Sequence, residues 1–348
     1  MATIKEEKQF EKERRAAKKA RERRMKADGL EKYLTPDQIK YNRRQKAINS
    51  VWPVFRFLIL FGLCFVILYP LIFMLSTAFR PNEQMNDPSI IWIPKNFTMQ
   101  NIKESWKVMK FEKTLVNTII LNLVASVLQV ITCSLTGYGF ARFKFKGKKI
   151  LFGLVVMMII VPPQITTIPL YMQYAYPPKI IARILTLGKA TKLIDSPWTM
   201  YLPALFANGI RAGLFIFIFR QFFRGLPKEL EDAAYLDGCS PLYTYVKIMI
   251  PNAKQSFLTV FLFSIVWYWN DYYVSSSFFT NNDTVALMLK NLNNTLIKEL
   301  FNNQSVSVRQ IIVWLEAGCL LSITPILVMY VFLQRYFVEG IEKSGLAN

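Results

Sequence analysis

The chain has 348 residues, 53% of them hydrophobic, and carries 43 Lys and Arg against 23 Asp and Glu, a net charge of +20. On a soluble domain that excess would suit nucleic acid. Here the apolar residues gather into long runs with the basic ones between them, the pattern of a membrane protein with no nucleic-acid partner. Histidine is absent, which excludes His metal sites, His general bases and Ser-His triads and leaves no catalytic centre to expect.

Residues 1–50 hold 16 Lys and Arg, and positions 5–26 are almost wholly Lys, Glu, Arg and Ala. Such a segment either winds into a solvated helix through Glu–Lys and Glu–Arg pairs or stays unfolded. It attracts anionic lipid heads or simply reinforces topology. No apolar core with a small-residue cleavage site precedes the first apolar run, so no removable signal peptide is expected.

Six apolar stretches follow, at about 54–78, 115–139, 150–172, 197–219, 256–279 and 311–333. Each has the roughly 20 residues a helix needs to cross ~30 Å of hydrocarbon, where an isolated strand would leave backbone groups unpaired. The expected fold is therefore all-α and integral to the membrane, with six transmembrane helices. Basic residues divide 28 to 13 between the two alternating sets of connecting segments, and the short loop 142–149 has five bases and no acid. The positive-inside rule then puts both termini in the cytoplasm. Cys64, Cys133, Cys239 and Cys319 show no CxxC spacing and three lie in apolar runs, so they read as small packing residues and not as a redox or metal set.

Within the second stretch Thr118, Asn122, Ser126, Gln129, Cys133 and Thr136 recur every three or four residues. This polar stripe faces other helices or a water-filled path, not lipid. It either lines a translocation route, with Asn122, Ser126 and Gln129 as candidates, or joins helices through hydrogen bonds worth roughly 0.6 kcal/mol each. Pro162, Pro163 and Pro169 distort the third stretch, either freeing backbone groups that line a cavity or simply kinking the helix. Arg211, Asp271 and Glu316 are charges within or near apolar runs, which makes each a functional candidate. Arg211 follows Asn208-Gly209 at a candidate helix break, and a pair with Asp271 or Glu316 stays open.

The connecting segment 226–251 carries the most specific pattern. Pro227 opens a helix, Gly238 suits its left-handed cap, and Ser240-Pro241 form an N-cap and N1 pair for a second helix running to about Ile250, where Pro251 interrupts. Leu230, Ala233, Ala234 and Asp237 fall on one face by spacing, with Glu229, Glu231 and Asp232 available to basic groups. The face either docks in another protein's groove or lies on lipid as an ordinary amphipathic helix. Segment 280–310 is rich in Asn and reads as a polar loop.

Asp232-Ala233-Ala234, Asp237-Gly238 and Pro251 resemble the EAA loop of ABC importer permeases, with Asp232 in place of the family's Glu. Gly137-Tyr138-Gly139-Phe140-Ala141-Arg142 with the basic loop after it is similar to the end of the family's second core helix. Ile160-Val161-Pro162-Pro163-Gln164 and Ile168-Pro169-Leu170-Tyr171 resemble its third. Trp267-Tyr268-Trp269-Asn270-Asp271 and Gln334-Arg335-Tyr336-Phe337-Val338-Glu339-Gly340 are similar to the carbohydrate branch, on the side of the maltose-type second permease. The resemblance spans about 54–340.

It implies the type I ABC importer permease fold, with a charged cytoplasmic tail (1–50), a transmembrane permease domain (51–340) and a cytoplasmic C-terminal tail (341–348). It implies a permease subunit for a sugar or oligosaccharide in a bacterial cell membrane, not an enzyme. Glu231, Asp232, Ala233, Ala234, Asp237 and Gly238 would form the coupling helix that docks on the ATPase. The implied partners are a second permease, a pair of ATPases holding ATP and Mg, an extracytoplasmic solute-binding protein that meets the 280–310 loop, and membrane lipid; this chain would hold no cofactor. Asn270 and Asp271 join the path candidates, because rings cover sugar C–H faces while carboxylates accept hydroxyl protons. Trp267 and Trp269 themselves read first as an interfacial belt. A non-sugar importer permease, or a channel or sensor with a docking loop, are the other readings.

Overall fold

The computed structural model describes residues 35–87, 93–188, 192–280, 284–302 and 308–345, and among them all regular structure is helical. The chain divides into two units, residues 1–71 and 72–348. Most of the expected charged tail, residues 1–34, lies outside the described residues.

The first unit contains most of α1 (Pro36–Ala78). The helix opens with Pro36 and Asp37, the fixed φ and the first-turn acid that suit an N-terminus. Every side chain from Val51 to Pro70 is exposed. Twenty consecutive exposed and mainly apolar residues have no place in water, whereas they match the length and polarity of a lipid-facing span.

The second unit begins in the last turns of α1, where Met74, Thr77 and Ala78 are buried. Terminal helix carbonyls need donors, and Asn101 supplies them from α2 (Gln100–Val108), donating to Ala78 O at 3.0 Å and Arg80 O at 2.8 Å. Next comes α3 (Phe111–Arg142), which packs against α7 (Trp198–Leu205), α8 (Ala212–Gly225) and α11 (Lys254–Trp269). Its approach to α8 requires Gly137: a Cβ there would sit 2.6 Å from Phe219 Cβ and 3.0 Å from the Arg220 amide nitrogen. Around this crossing Tyr138, Phe215, Phe219, Phe223 and Tyr245 form an aromatic core.

The expected third stretch is two helices, α4 (Lys148–Ile160) and α5 (Pro163–Ala175), bent by 101°. Two successive prolines without N–H groups account for the break. The expected fourth stretch is also divided, into α7 and α8, with α6 (Lys179–Leu185) preceding it. Next come α9 (Glu229–Leu236) and α10 (Pro241–Asn252), followed by α11 and α12 (Tyr273–Phe278), with α10 and α11 bent by 80°. The widened π turn at Tyr245–Met249 immediately precedes Pro251, whose ring clashes with a regular helical turn. Among the described residues three helices are long and apolar enough to cross a membrane, and counting each bent pair as a span makes five.

One expectation is corrected outright. The segment read as a polar loop, 280–310, contains the helix α13 (Val285–Leu300). Thr284 caps it by accepting from the Leu287 amide at 3.3 Å, and Val285, Met288, Leu292 and Leu296 give it a buried stripe against α2, α3 and α14 (Val308–Gly345). Since α14 runs to Gly345, most of the segment 341–348 is helical, continuous with the last apolar stretch.

Candidate functional site: a helical elbow and a cavity at three helix breaks

The elbow is built by local caps. Gly238 takes φ +79°, its amide donates to Tyr235 O at 3.0 Å and that of Cys239 to Ala234 O at 2.9 Å, which is a Schellman ending for α9. Two residues later the Ser240 hydroxyl accepts from the Tyr243 amide at 3.3 Å and Pro241 starts α10. The two short helices thus meet at a turn fixed by residues the sequence already marks.

Glu231 is the residue whose place the sequence does not reveal. It is 6% exposed and faces inward. One carboxylate oxygen accepts from the Tyr138 hydroxyl at 2.7 Å, and the other lies 3.0 Å from Arg142 Nε. Arg142 also donates through Nη2 to Leu226 O at 2.8 Å, before α9. The end of α3 is therefore clamped to the elbow. This clamp turns α9 away from the face that spacing suggests: Ala234 is buried and Leu230 half-buried, while Asp232, Ala233, Leu236 and Asp237 are exposed. With Leu236 at 89% exposure, and Leu242, Tyr243 and Val246 of α10 also exposed, the elbow presents an apolar surface edged by acids.

The second feature is a cavity of about 590 Å³. Three interruptions of helix meet at it: the α4–α5 bend with Val161 and Gln164, the α7–α8 turn with Asn208 and Arg211, and the α11–α12 break with Asn270 and Asp271. Irregular backbone is tolerated at membrane depth only where it is covered by protein or lines a cavity. The α7–α8 turn is tightly determined. Ala207 and Arg211 have φ +53° and +59°, and a Cβ on Gly209 would meet the Tyr268 hydroxyl at 2.5 Å and Gln129 Oε1 at 2.6 Å. Gln129 donates to Ile210 O at 2.6 Å and accepts from Tyr268 at 2.6 Å.

Asn270 and Asp271 thus line the cavity, and Asn122, Ser126 and Gln129 do not. Those three are buried on α3. Other members of the stripe bond across to neighbouring elements, Thr118 accepting from the Val285 amide at 2.9 Å and Cys133 Sγ lying 3.8 Å from Ala212 O. Asp271 caps α12, accepting from the amides of Val274 and Ser275 at 3.2 and 2.9 Å and from Ser275 Oγ at 2.9 Å. Arg211 pairs with neither Asp271 nor Glu316; its guanidinium lies 4.3 Å over the Trp267 ring. Trp269 donates to Ser322 O at 3.2 Å, so both tryptophans have partners inside the chain.

Long apolar helices, one with twenty consecutive exposed residues, mark a membrane-embedded protein. Residues 133–343 match the binding-protein-dependent transport system inner membrane components, and the chain belongs to that family. It is 27% identical to the arabinooligosaccharides transport system permease protein AraQ of Halalkalibacterium halodurans, over 84% of this chain and 97% of that protein. It is 25% identical to the melibiose/raffinose/stachyose import permease protein MelC of Bacillus subtilis, over 80% of this chain and 90% of that protein. The trehalose transport system permease protein SugB of Mycobacterium tuberculosis is also 25% identical, over 80% and 92%. In fold the chain is similar to a chain of a bacterial ABC transporter involved in the import of the acidic polysaccharide alginate, with a TM-score of 0.64 at 19% identity, over 83% of this chain and 97% of that one.

Proposed function

We propose that this chain is a permease subunit of an ATP-driven importer for a sugar or oligosaccharide. The observation that carries the reading is the meeting of three helix interruptions at one cavity lined by aromatic and amide side chains, the arrangement by which transporters hold a solute near the bilayer midplane. The names of the sugar permeases it is similar to support the carbohydrate class.

In this reading α7–α8 is a further broken crossing, which brings the spans to six with both termini cytoplasmic, and residues 51–340 form the permease domain. The elbow docks on a pair of ATPases that bind ATP and Mg, through Asp232, Ala233, Leu236 and Asp237, while Glu231, Ala234 and Gly238 hold its shape. A second permease completes the pathway, and a solute-binding protein delivers the sugar to the outer side, where α13 lies. Closure of the ATPases moves the elbow, and α3 carries the movement, because it bonds to the elbow through Tyr138 and Arg142 and to the cavity turn through Gln129.

The test is uptake of labelled oligosaccharides by cells lacking this gene and by the same cells carrying it again. Restored uptake of at least one oligosaccharide is expected. Unchanged uptake of every sugar, with the protein present in the membrane, would remove the carbohydrate assignment.

A further inference from the structure

Among the described residues, two cavity-lining side chains carry charge, Arg211 and Asp271. Asp271 is occupied by its three hydrogen bonds at the start of α12. Arg211 has no carboxylate partner among the described residues, and its planar face is taken by Trp267. Stacking uses the face of a guanidinium and leaves the N–H edges free to engage an acceptor in the ring plane. The backbone beneath it is fixed from both sides, by Gln129 on Ile210 O and Cys133 on Ala212 O, with Arg211 itself at φ +59°. A left-handed backbone at a non-glycine residue beside a cavity is a reason to look for a role there.

We propose that the cavity receives a carbohydrate bearing a carboxylate, such as a uronic acid residue, with Arg211 as its anion contact. Arg211 is exposed at the cavity wall, and a sugar carboxylate would meet its open N–H edge through two parallel N–H to O bonds. A neutral sugar leaves the charge uncompensated. Tyr272, Asn270 and Gln164 are placed to meet the rings and hydroxyls of the same ligand. The inference rests on the reading of the chain as a sugar importer subunit.

The experiment uses the importer purified with its second permease, ATPases and binding protein. Oligogalacturonates, oligomannuronates and glucuronoxylan fragments are compared with their carboxyl-reduced counterparts as stimulators of ATP hydrolysis. An acidic member should stimulate, with its reduced counterpart weaker by about tenfold or more in half-saturating concentration. Arg211→Gln should abolish that preference, and Arg211→Lys should keep part of it.

Stimulation by neutral sugars alone, or an acidic preference untouched by Arg211→Gln, overturns the inference and leaves the importer reading standing. Loss of assembly with both Arg211→Gln and Arg211→Lys, or equal loss for neutral and acidic sugars, shows that Arg211 pairs with a neighbouring subunit, which also overturns it. Stimulation by no saccharide of either kind strikes the importer reading itself.

Discussion

Glu231 and Arg142 form an ion pair whose side chains are 8% and 7% exposed. Removing one partner of such a pair leaves a buried charge uncompensated, at a cost of about 3–5 kcal/mol. Glu231→Gln should therefore lower the melting temperature of the purified protein in detergent markedly. Replacing both charges, as Arg142→Met with Glu231→Leu, should recover most of the loss; an unshifted melting curve for Glu231→Gln would mean that the pair holds nothing together. Gly238 answers to a different cause. No atom lies within 4 Å of a Cβ built there, so Gly238→Ala carries only the left-handed backbone penalty of about 1–2 kcal/mol. A loss well beyond that, in the same melting assay, would point to a contact the turn does not have.

Among elements, α8 and α11 run between the cavity and the elbow, and α3 bonds to the elbow at one end and to the cavity turn nearer its middle. Gln129 and Arg142 stand about 20 Å apart along it by helical rise. Gln129→Leu removes the bonds to Ile210 and Tyr268 but leaves the elbow intact. Sugar uptake should fall about tenfold or more while ATP hydrolysis stimulated by the binding protein persists. Equal loss of both activities would count against α3 as the carrier of movement. The elbow was legible in the sequence because its signals are local: a Gly for a left-handed cap, a Ser-Pro for the next start. The side of α9 that turns inward was not, since in a helix of eight residues spacing alone allows overlapping faces and the choice is made by Tyr138 and Arg142, some ninety residues away. The stripe Val285, Met288, Leu292 and Leu296 was present in the sequence, yet the asparagines between its members gave the segment the composition of a loop. The cavity was legible only in part: the prolines at 162 and 163 and Asn208-Gly209 marked two of its three breaks, but their convergence comes from contacts between distant segments.

At the scale of the whole molecule, the apolar surface of α1 suits something other than water, and in the proposed importer the same holds for the exposed elbow. Lipid covers the first, and in the proposed importer an ATPase covers the second. The turn between α9 and α10 must then keep its shape for solute at one end to be felt as hydrolysis at the other. The most direct measurement is ATP hydrolysis by the reconstituted importer, with binding protein and oligosaccharide, for the native chain and for Gly238→Pro. Proline cannot reach φ +79° and removes the amide that donates to Tyr235. Sugar should stimulate hydrolysis in the native complex and fail to do so in the variant, with the complex still assembled in the membrane. Undiminished stimulation in Gly238→Pro would contradict coupling through the elbow.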